Sequence, residues 1–311
     1  MTTSPDPYGR LLSAWTYANV GATFTFTRLA RVLALRLGWS GTRYDSLRGP
    51  GPTLPPAYTF RDGFLSELSL TATYDDSRRF VYSISPEEGR TASLTLRGAA
   101  RELGSDYDLS RANASVAQYI RVPATKHTVL ALRLSGGAAH GTLGGAAPFE
   151  LGGIPQPDAL SLLLGSLLGT TPAPPDMLRG YPSGFLQGTG FVLGNVEARF
   201  PIAAPTFGRT TWPVFLRRVH GALFFDLGDA FDLPGQLPIA GHGFDVRELQ
   251  AGVGGELRLE IVLGYYLRTD LRIGVAHALG AVFGAGRAAD VRPNGSGPGE
   301  VTGYIVLGPS F

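Results

Sequence analysis

Leu257-Arg258-Leu259-Glu260-Ile261-Val262-Leu263 sets Leu257, Leu259, Ile261 and Leu263 against Arg258 and Glu260. Successive side chains of an extended strand point to opposite faces, so this segment has one greasy face and one ionic face. The pattern recurs on both sides of it. In Leu267 to Val275, Leu271, Ile273 and Val275 oppose Arg268, Asp270, Arg272 and Gly274, and Thr269 interrupts the apolar face only mildly. Upstream, leucines alternate with polar residues in Ser93-Leu94-Thr95-Leu96-Arg97, and Leu130, Leu132 and Leu134 share a face in Thr128 to Leu134.

Further strands are expected at 11–20, 22–28, 31–44, 64–76, 79–85, 112–122, 189–201, 215–229 and 301–311, about thirteen in all, with no amphipathic helix longer than about three turns. The protein is therefore all-β. Alternation alone does not say which face is wet, because a soluble sandwich alternates too. Three features favour an antiparallel transmembrane β-barrel. Many strands approach the roughly 9–11 residues that cross a bilayer when tilted. Closing a sheet on itself satisfies every backbone group, as lipid demands. Aromatic residues stand near strand ends (Trp15, Tyr17, Trp39, Tyr44, Tyr74, Tyr119, Trp212, Phe231, Tyr265 and Tyr304), where an interfacial girdle belongs.

Composition narrows the function classes. The 311 residues carry a net charge of +2, which gives no electrostatic reason to expect a nucleic-acid partner. Only 17% are charged, below the roughly 25% of soluble domains. The absence of cysteine excludes disulfides, thiolate zinc sites and cysteine nucleophiles. No apolar run reaches the roughly 18 residues of a membrane helix. The best, Leu160 to Leu168, reads as a short helix capping a loop, with a membrane-interface segment as the alternative, and MTTSPDPYGR lacks the pattern of a signal peptide. His127, His140, His220, His242 and His277 form no metal-ligand spacing, and no nucleophile elbow, zincin or phosphate-loop motif occurs. No metal, cofactor or catalytic residue is expected, and the chain does not read as an enzyme.

The stretch 139–188 breaks the strand rhythm, is rich in Gly and Pro, and ends in Leu178-Arg179-Gly180-Tyr181. Loops this long are usually functional or disordered. This tetrapeptide resembles the V-R-G-F/Y motif in the long sixth loop of BamA-like outer-membrane barrels, the superfamily of assembly factors and two-partner secretion transporters. Other landmarks fall in the same order. Pro86-Glu87-Glu88-Gly89 resembles that superfamily's P-x-x-G turn, and Phe149-Glu150-Leu151-Gly152-Gly153 its F-x-x-G-G segment. Gly194-Asn195-Val196-Glu197-Ala198-Arg199-Phe200-Pro201 resembles G-N-x-E-x-R-F-P, and Phe225-Asp226-Leu227-Gly228-Asp229 resembles F-x-D-x-G. Gly252 to Arg258 resembles G-x-G-x-x-x-R, and a final strand ends on Phe311, the C-terminal strand signal.

The resemblance implies one outer-membrane barrel domain over 1–311, of about 12–16 strands, with the first few absent and no POTRA or other N-terminal domain. It implies a bacterial outer-membrane location, contact with outer-membrane lipid and lipopolysaccharide, and work on substrate polypeptides with envelope assembly factors. The implied activity is insertion or translocation of protein. The alternatives are a passive channel or surface antigen, or a membrane anchor for a missing N-terminal domain such as a propeller. It further implies that Arg179 enters the lumen and pairs with Glu197 and Asp226, which alternation places on inward faces beside Asn195 and Arg199. Guanidinium binds carboxylate bidentately and keeps its charge when desolvated. Gly180 would permit the turn at the tip, Tyr181 would pack on the wall, and Gly152, Gly153 and Gly228 would be structural. If the lumen is wet, losing Arg179 should cost about 1–3 kcal/mol. Val196, Val219, Leu223, Leu259 and Ile261 should meet lipid.

Overall fold

The computed structural model describes residues 13–46, 63–80, 82–123, 125–141, 149–153, 177–208, 211–236, 239–265, 267–283 and 299–307. The strands are β1 (Ser13–Arg28), β2 (Arg31–Ser46), β3 (Gly63–Asp75), β4 (Gly89–Ala99), β5 (Leu109–Arg121), β6 (Val129–Gly141), β7 (Phe149–Leu151), β8 (Leu186–Gly188), β9 (Gly190–Ala203), β10 (Phe207–Gly208), β11 (Val214–Phe231), β12 (Gln250–Leu263), β13 (Leu267–Ala281) and β14 (Val301–Leu307). One antiparallel sheet of 12 strands takes the order β1-β2-β3-β4-β5-β6-β9-β11-β12-β13-β14, with the short β10 beside β11. Each long strand lies beside the next long strand in sequence, the usual arrangement of consecutive elements. The skip from β6 to β9 accommodates the long loop, which begins and ends in its own hairpin of β7 and β8. Among the described residues, β1 and β14 are not paired with each other.

The two faces of this sheet settle which side is wet. Leu223 is 60% exposed on the outer face, while Arg258 and Arg272 on the inner face are 0% and 1% exposed. A soluble sandwich would bury the leucine and expose the arginines. Here the charges are the covered side, and among the described residues the aliphatic side is the exposed one, the arrangement of a barrel wall in lipid. Val196, Phe200, Phe225, Leu257, Ile273 and Val275 share the outer face.

Three expected strands differ in the structure. The described part of 11–20, from Ser13 on, and 22–28 belong to one strand, because Gly21 pairs through the ladder with Gly38 instead of breaking it. The described residues of 79–85 are not a strand. The segment between β3 and β4 is a folded turn, and the aromatic rhythm of Phe80 and Tyr82 belongs to exposed side chains on it. With one strand merged and one lost, the expected thirteen become eleven long strands. Tyr119 and Tyr304 leave the proposed girdle, since Tyr119 is buried on the inner face and Tyr304 bonds an inward carboxylate. Trp212 and Tyr265 do stand exposed at turns. The N-terminal stretch, Leu160 to Leu168 and Phe311 lie outside the described residues.

The turn between β3 and β4 is itself organised. Gly89 has φ +90, and a Cβ there would lie 2.4 Å from the Asp76 carbonyl. Glu87 is 0% exposed and accepts from Ser83 Oγ at 2.7 Å and bonds His127 Nδ1 at 2.5 Å. Arg121 stands 3.6 Å away. Burial works against the ionised Glu87 carboxylate, yet the bonds from His127 and Ser83 outweigh it and hold the group below the usual carboxylate range. The turn reaches across to β11, where the Arg218 guanidinium donates to the Ser83 carbonyl.

Candidate functional site

Alternation on three adjacent strands delivers three carboxylates to one place. Glu197 on β9, Asp226 on β11 and Glu256 on β12 all point inward, and their strands are neighbours in the sheet. The tip of the long loop enters between them. Leu178, Arg179 and Tyr181 are 0%, 0% and 2% exposed.

Arg179 is bonded on every side. Its Nε and Nη2 donate to the two oxygens of Asp226 at 2.7 and 2.6 Å, a bidentate fork. Nη1 donates to Glu197 at 2.6 Å and to Glu256 at 3.2 Å. The Arg179 backbone N–H adds a bond to Asp226 at 3.1 Å. The guanidinium carbon lies 3.6 Å from the centroid of the Phe224 ring, a close cation–π stack. Asn195 steadies the assembly, with Nδ2 donating to Asp226 at 2.7 Å and to the Met177 carbonyl at 3.0 Å.

The carboxylates are shared with further arginines. Glu197 accepts from Arg199 Nε at 2.9 Å and from Arg258 Nη2 at 2.9 and 3.0 Å. Glu256 accepts from Arg258 Nε at 2.7 Å, Arg272 Nη2 at 2.6 Å and the Tyr304 hydroxyl at 2.7 Å. Buried charges are tolerated only when paired and hydrogen-bonded, and this lattice meets that condition. The sequence expectation of wet acids around Arg179 is corrected here, because Arg179, Glu197 and Asp226 are all at 0% exposure.

Backbone geometry seats the tip. Gly180 has φ +97, and a Cβ on it would stand 3.0 Å from the backbone of His277 and Ala278 on β13. A Cβ on Gly252 would lie 2.0 Å from the Arg179 carbonyl oxygen. Only glycine permits both approaches. Tyr181 completes the seat at a bulge. The register of β12 against β13 shifts between Ala251 and Gly252. There the Tyr181 hydroxyl donates to the Ala251 carbonyl at 2.8 Å and accepts from the Gly280 N–H at 2.9 Å, bridging the gap in the ladder.

The other motif residues frame this tip. Gly152 and Gly153 have φ of 123 and 61, press against Pro182 and Ser183, and Gly153 N–H donates to the Leu178 carbonyl at 3.2 Å. Gly228 leaves room for Leu193 on the next strand. An apolar cluster of Phe149, Leu151, Leu178, Tyr181, Phe191, Leu193, Ala230 and Ala278 underlies the loop base. His220 is buried on the inner face opposite Arg258, outside the bonds to Arg179. Sequence reasoning missed Glu256 and Phe224 as partners of Arg179, and Asn195 as the residue that holds Asp226. The signal was present: Glu256 has the inward parity of Arg258 two residues on.

The inner face is unequally covered. From β6 to β13 many of its side chains lie under the loop or in the arginine lattice, whereas those of β1 to β5 are mostly exposed or half-exposed.

The Omp85 superfamily domain matches residues 13–266 of this sequence. No curated protein matches it. Among solved structures, CdiB from Escherichia coli superposes with a TM-score of 0.56 at 12% identity over 95% of this chain and 45% of that one. CdiB from Acinetobacter baumannii gives a TM-score of 0.51 at 12% identity over 95% of this chain and 42% of that one. The chain thus spans less than half the length of either, and likeness at this identity speaks for the fold.

Proposed function

The chain belongs to the Omp85 superfamily of integral outer-membrane β-barrels, and from that premise we propose that it moves polypeptide across the bacterial outer membrane. Insertion of polypeptide into that membrane is the narrower form of the same activity. One observation carries the reading: a loop anchored through Arg179 to Glu197, Asp226 and Glu256 occupies one side of the inner face, and the other side stays open and polar. A loop fixed by ion pairs at one point can gate a passage without being part of the wall. Substrate polypeptides and envelope assembly factors are the partners this implies, with outer-membrane lipid and lipopolysaccharide around the aliphatic face. The reading assigns no catalytic step to any residue.

The test is a deletion of the gene in its own organism, with comparison of the outer-membrane and secreted proteins. Loss of one or more secreted or surface polypeptides, restored by the wild-type gene and restored poorly by Arg179→Ala, is expected. An unchanged secreted and surface profile would overturn the proposal.

A further inference from the structure

The open side of the inner face has a chemistry of its own. Register places Arg36, Thr71, Thr95 and Asn113 in one row across β2, β3, β4 and β5. The next row holds Thr73, Ser93 and Ser115. The hydroxyls bond one another across strands, Thr71 to Thr95 at 3.3 Å and Ser93 to Ser115 at 2.9 Å. On β1, Asn19, Thr23 and Thr25 share this face by register with β2. A polar cleft of about 220 Å³ opens here between Asn19, Arg36, Ser40, Glu67, Ser69 and Arg97.

Charge on this wall leans one way. Its central band carries Arg36, Arg97 and Arg111 against Glu67 alone among the described residues. Arg97 stands 3.5 Å from Glu67, with its own side chain 54% exposed. Arg111 lies 4.1 Å from the centroid of the Phe149 ring at the loop base. Asp75 and Arg121 sit at the far ends of β3 and β5 and leave the central band unchanged.

We infer that this wall of β1 to β5 is the contact surface for an extended, acidic polypeptide segment, which passes while Arg179 remains docked on the opposite strands. The inference rests on the translocation reading above and names the class of substrate it takes. A surface of hydroxyls donates and accepts equally, so it exchanges hydrogen bonds with any sliding backbone and holds none of them strongly. The cleft described here is lined mainly by polar and charged side chains. Guanidiniums in excess draw carboxylate side chains in and repel lysine-rich segments, and a field confined by low-dielectric walls strengthens that choice.

The test uses the full-length protein in planar lipid bilayers. The probes are two synthetic peptides, one of repeated Glu-Ser-Gly and one of repeated Lys-Ser-Gly. The acidic peptide is expected to interrupt the current at least about tenfold more often than the basic one. In Arg36→Glu/Arg97→Glu, whose side chains lie outside the Arg179 lattice, the preference should reverse. Arg36→Gln/Arg97→Gln should abolish it without reversing it, which guards against misfolding of the doubly acidic variant. Equal interruption by both peptides, an unchanged preference in the variants, or no current at all would overturn the inference. The gene-deletion comparison is independent: lost secretion with no charge preference in the bilayer would leave the proposed function standing and sink only this substrate class.

Discussion

Arg179→Ala tests the docked loop most directly. The side chain makes four hydrogen bonds to three carboxylates and stacks on Phe224, with none of its surface in solvent. Its loss falls unevenly. Glu197 keeps Arg199 and Arg258, and Glu256 keeps Arg258, Arg272 and Tyr304, but Asp226 loses its only cation and is left with Asn195 and the backbone N–H of residue 179 among the bonds described. Removing one partner of a buried ion pair costs about 3–5 kcal/mol, because the other charge stays buried and uncompensated. That figure replaces the smaller loss a wet lumen would give. The cost should appear as opening of the loop, a local event, since the sheet is held by its own ladders. The chain has no cysteine, so Met177→Cys supplies a single thiol at a position 2% exposed beside the tip. Its alkylation rate reports opening, and a loss of about 3–5 kcal/mol raises that rate from about 150-fold to about 5,000-fold. Arg179→Lys, with a point charge in place of the fork, should fall between the two. A rate in Met177→Cys/Arg179→Ala within about threefold of Met177→Cys alone would refute the argument that the ion pairs hold the loop.

Three further outcomes follow from the same geometry. Gly252→Ala puts a methyl 2.0 Å from the Arg179 carbonyl and should raise alkylation at Met177→Cys as Arg179→Ala does, while Gly98→Ala, with open space around its Cβ, should leave it unchanged. Leu223→Arg on the outer face should cost about 2–4 kcal/mol of unfolding free energy in lipid near the midplane, measured by denaturant titration in vesicles; a neutral result would place that face away from lipid. Glu87 has a folded pKa below its ordinary value of 4.5, so its contribution is complete above that value and is lost as pH falls through the lower folded pKa. Protease resistance of the turn between β3 and β4 should therefore decline in acid, and Glu87→Gln should show lower resistance at neutral pH and little further decline.

Much of this was legible because two-residue alternation is a local property. The inward parity of Glu197, Asp226 and Arg258 and the outward parity of Val196 and Leu223 need only the strand and its phase. What failed needed three-dimensional packing. Gly21 looked like a break, yet a glycine opposite Gly38 simply leaves space in the ladder. Phe80 and Tyr82 alternate like a strand, but the buried carboxylate of Glu87 folds the segment into a turn instead. Dryness around Arg179 was invisible because it depends on the loop covering acids that come from three strands. Glu256 falls at an unspecified position of the Gly252 to Arg258 pattern, although its parity marks it as equally inward.

The three carboxylates on Arg179 come from β9, β11 and β12, all synthesised after the arginine itself. A register slip of one residue in any of these strands would turn its acid to the outer face and swing an aliphatic side chain toward the guanidinium. The arginine thus waits, during folding, for strands not yet made, and is satisfied only when all three are in phase. Tyr304 on β14 bonds Glu256, which extends the dependence to the last described strand. The loop tip therefore acts as a proofreader of the sheet's register: mispaired intermediates retain an unsatisfied charge and a loop that protrudes, and they are the species that envelope proteases would find first.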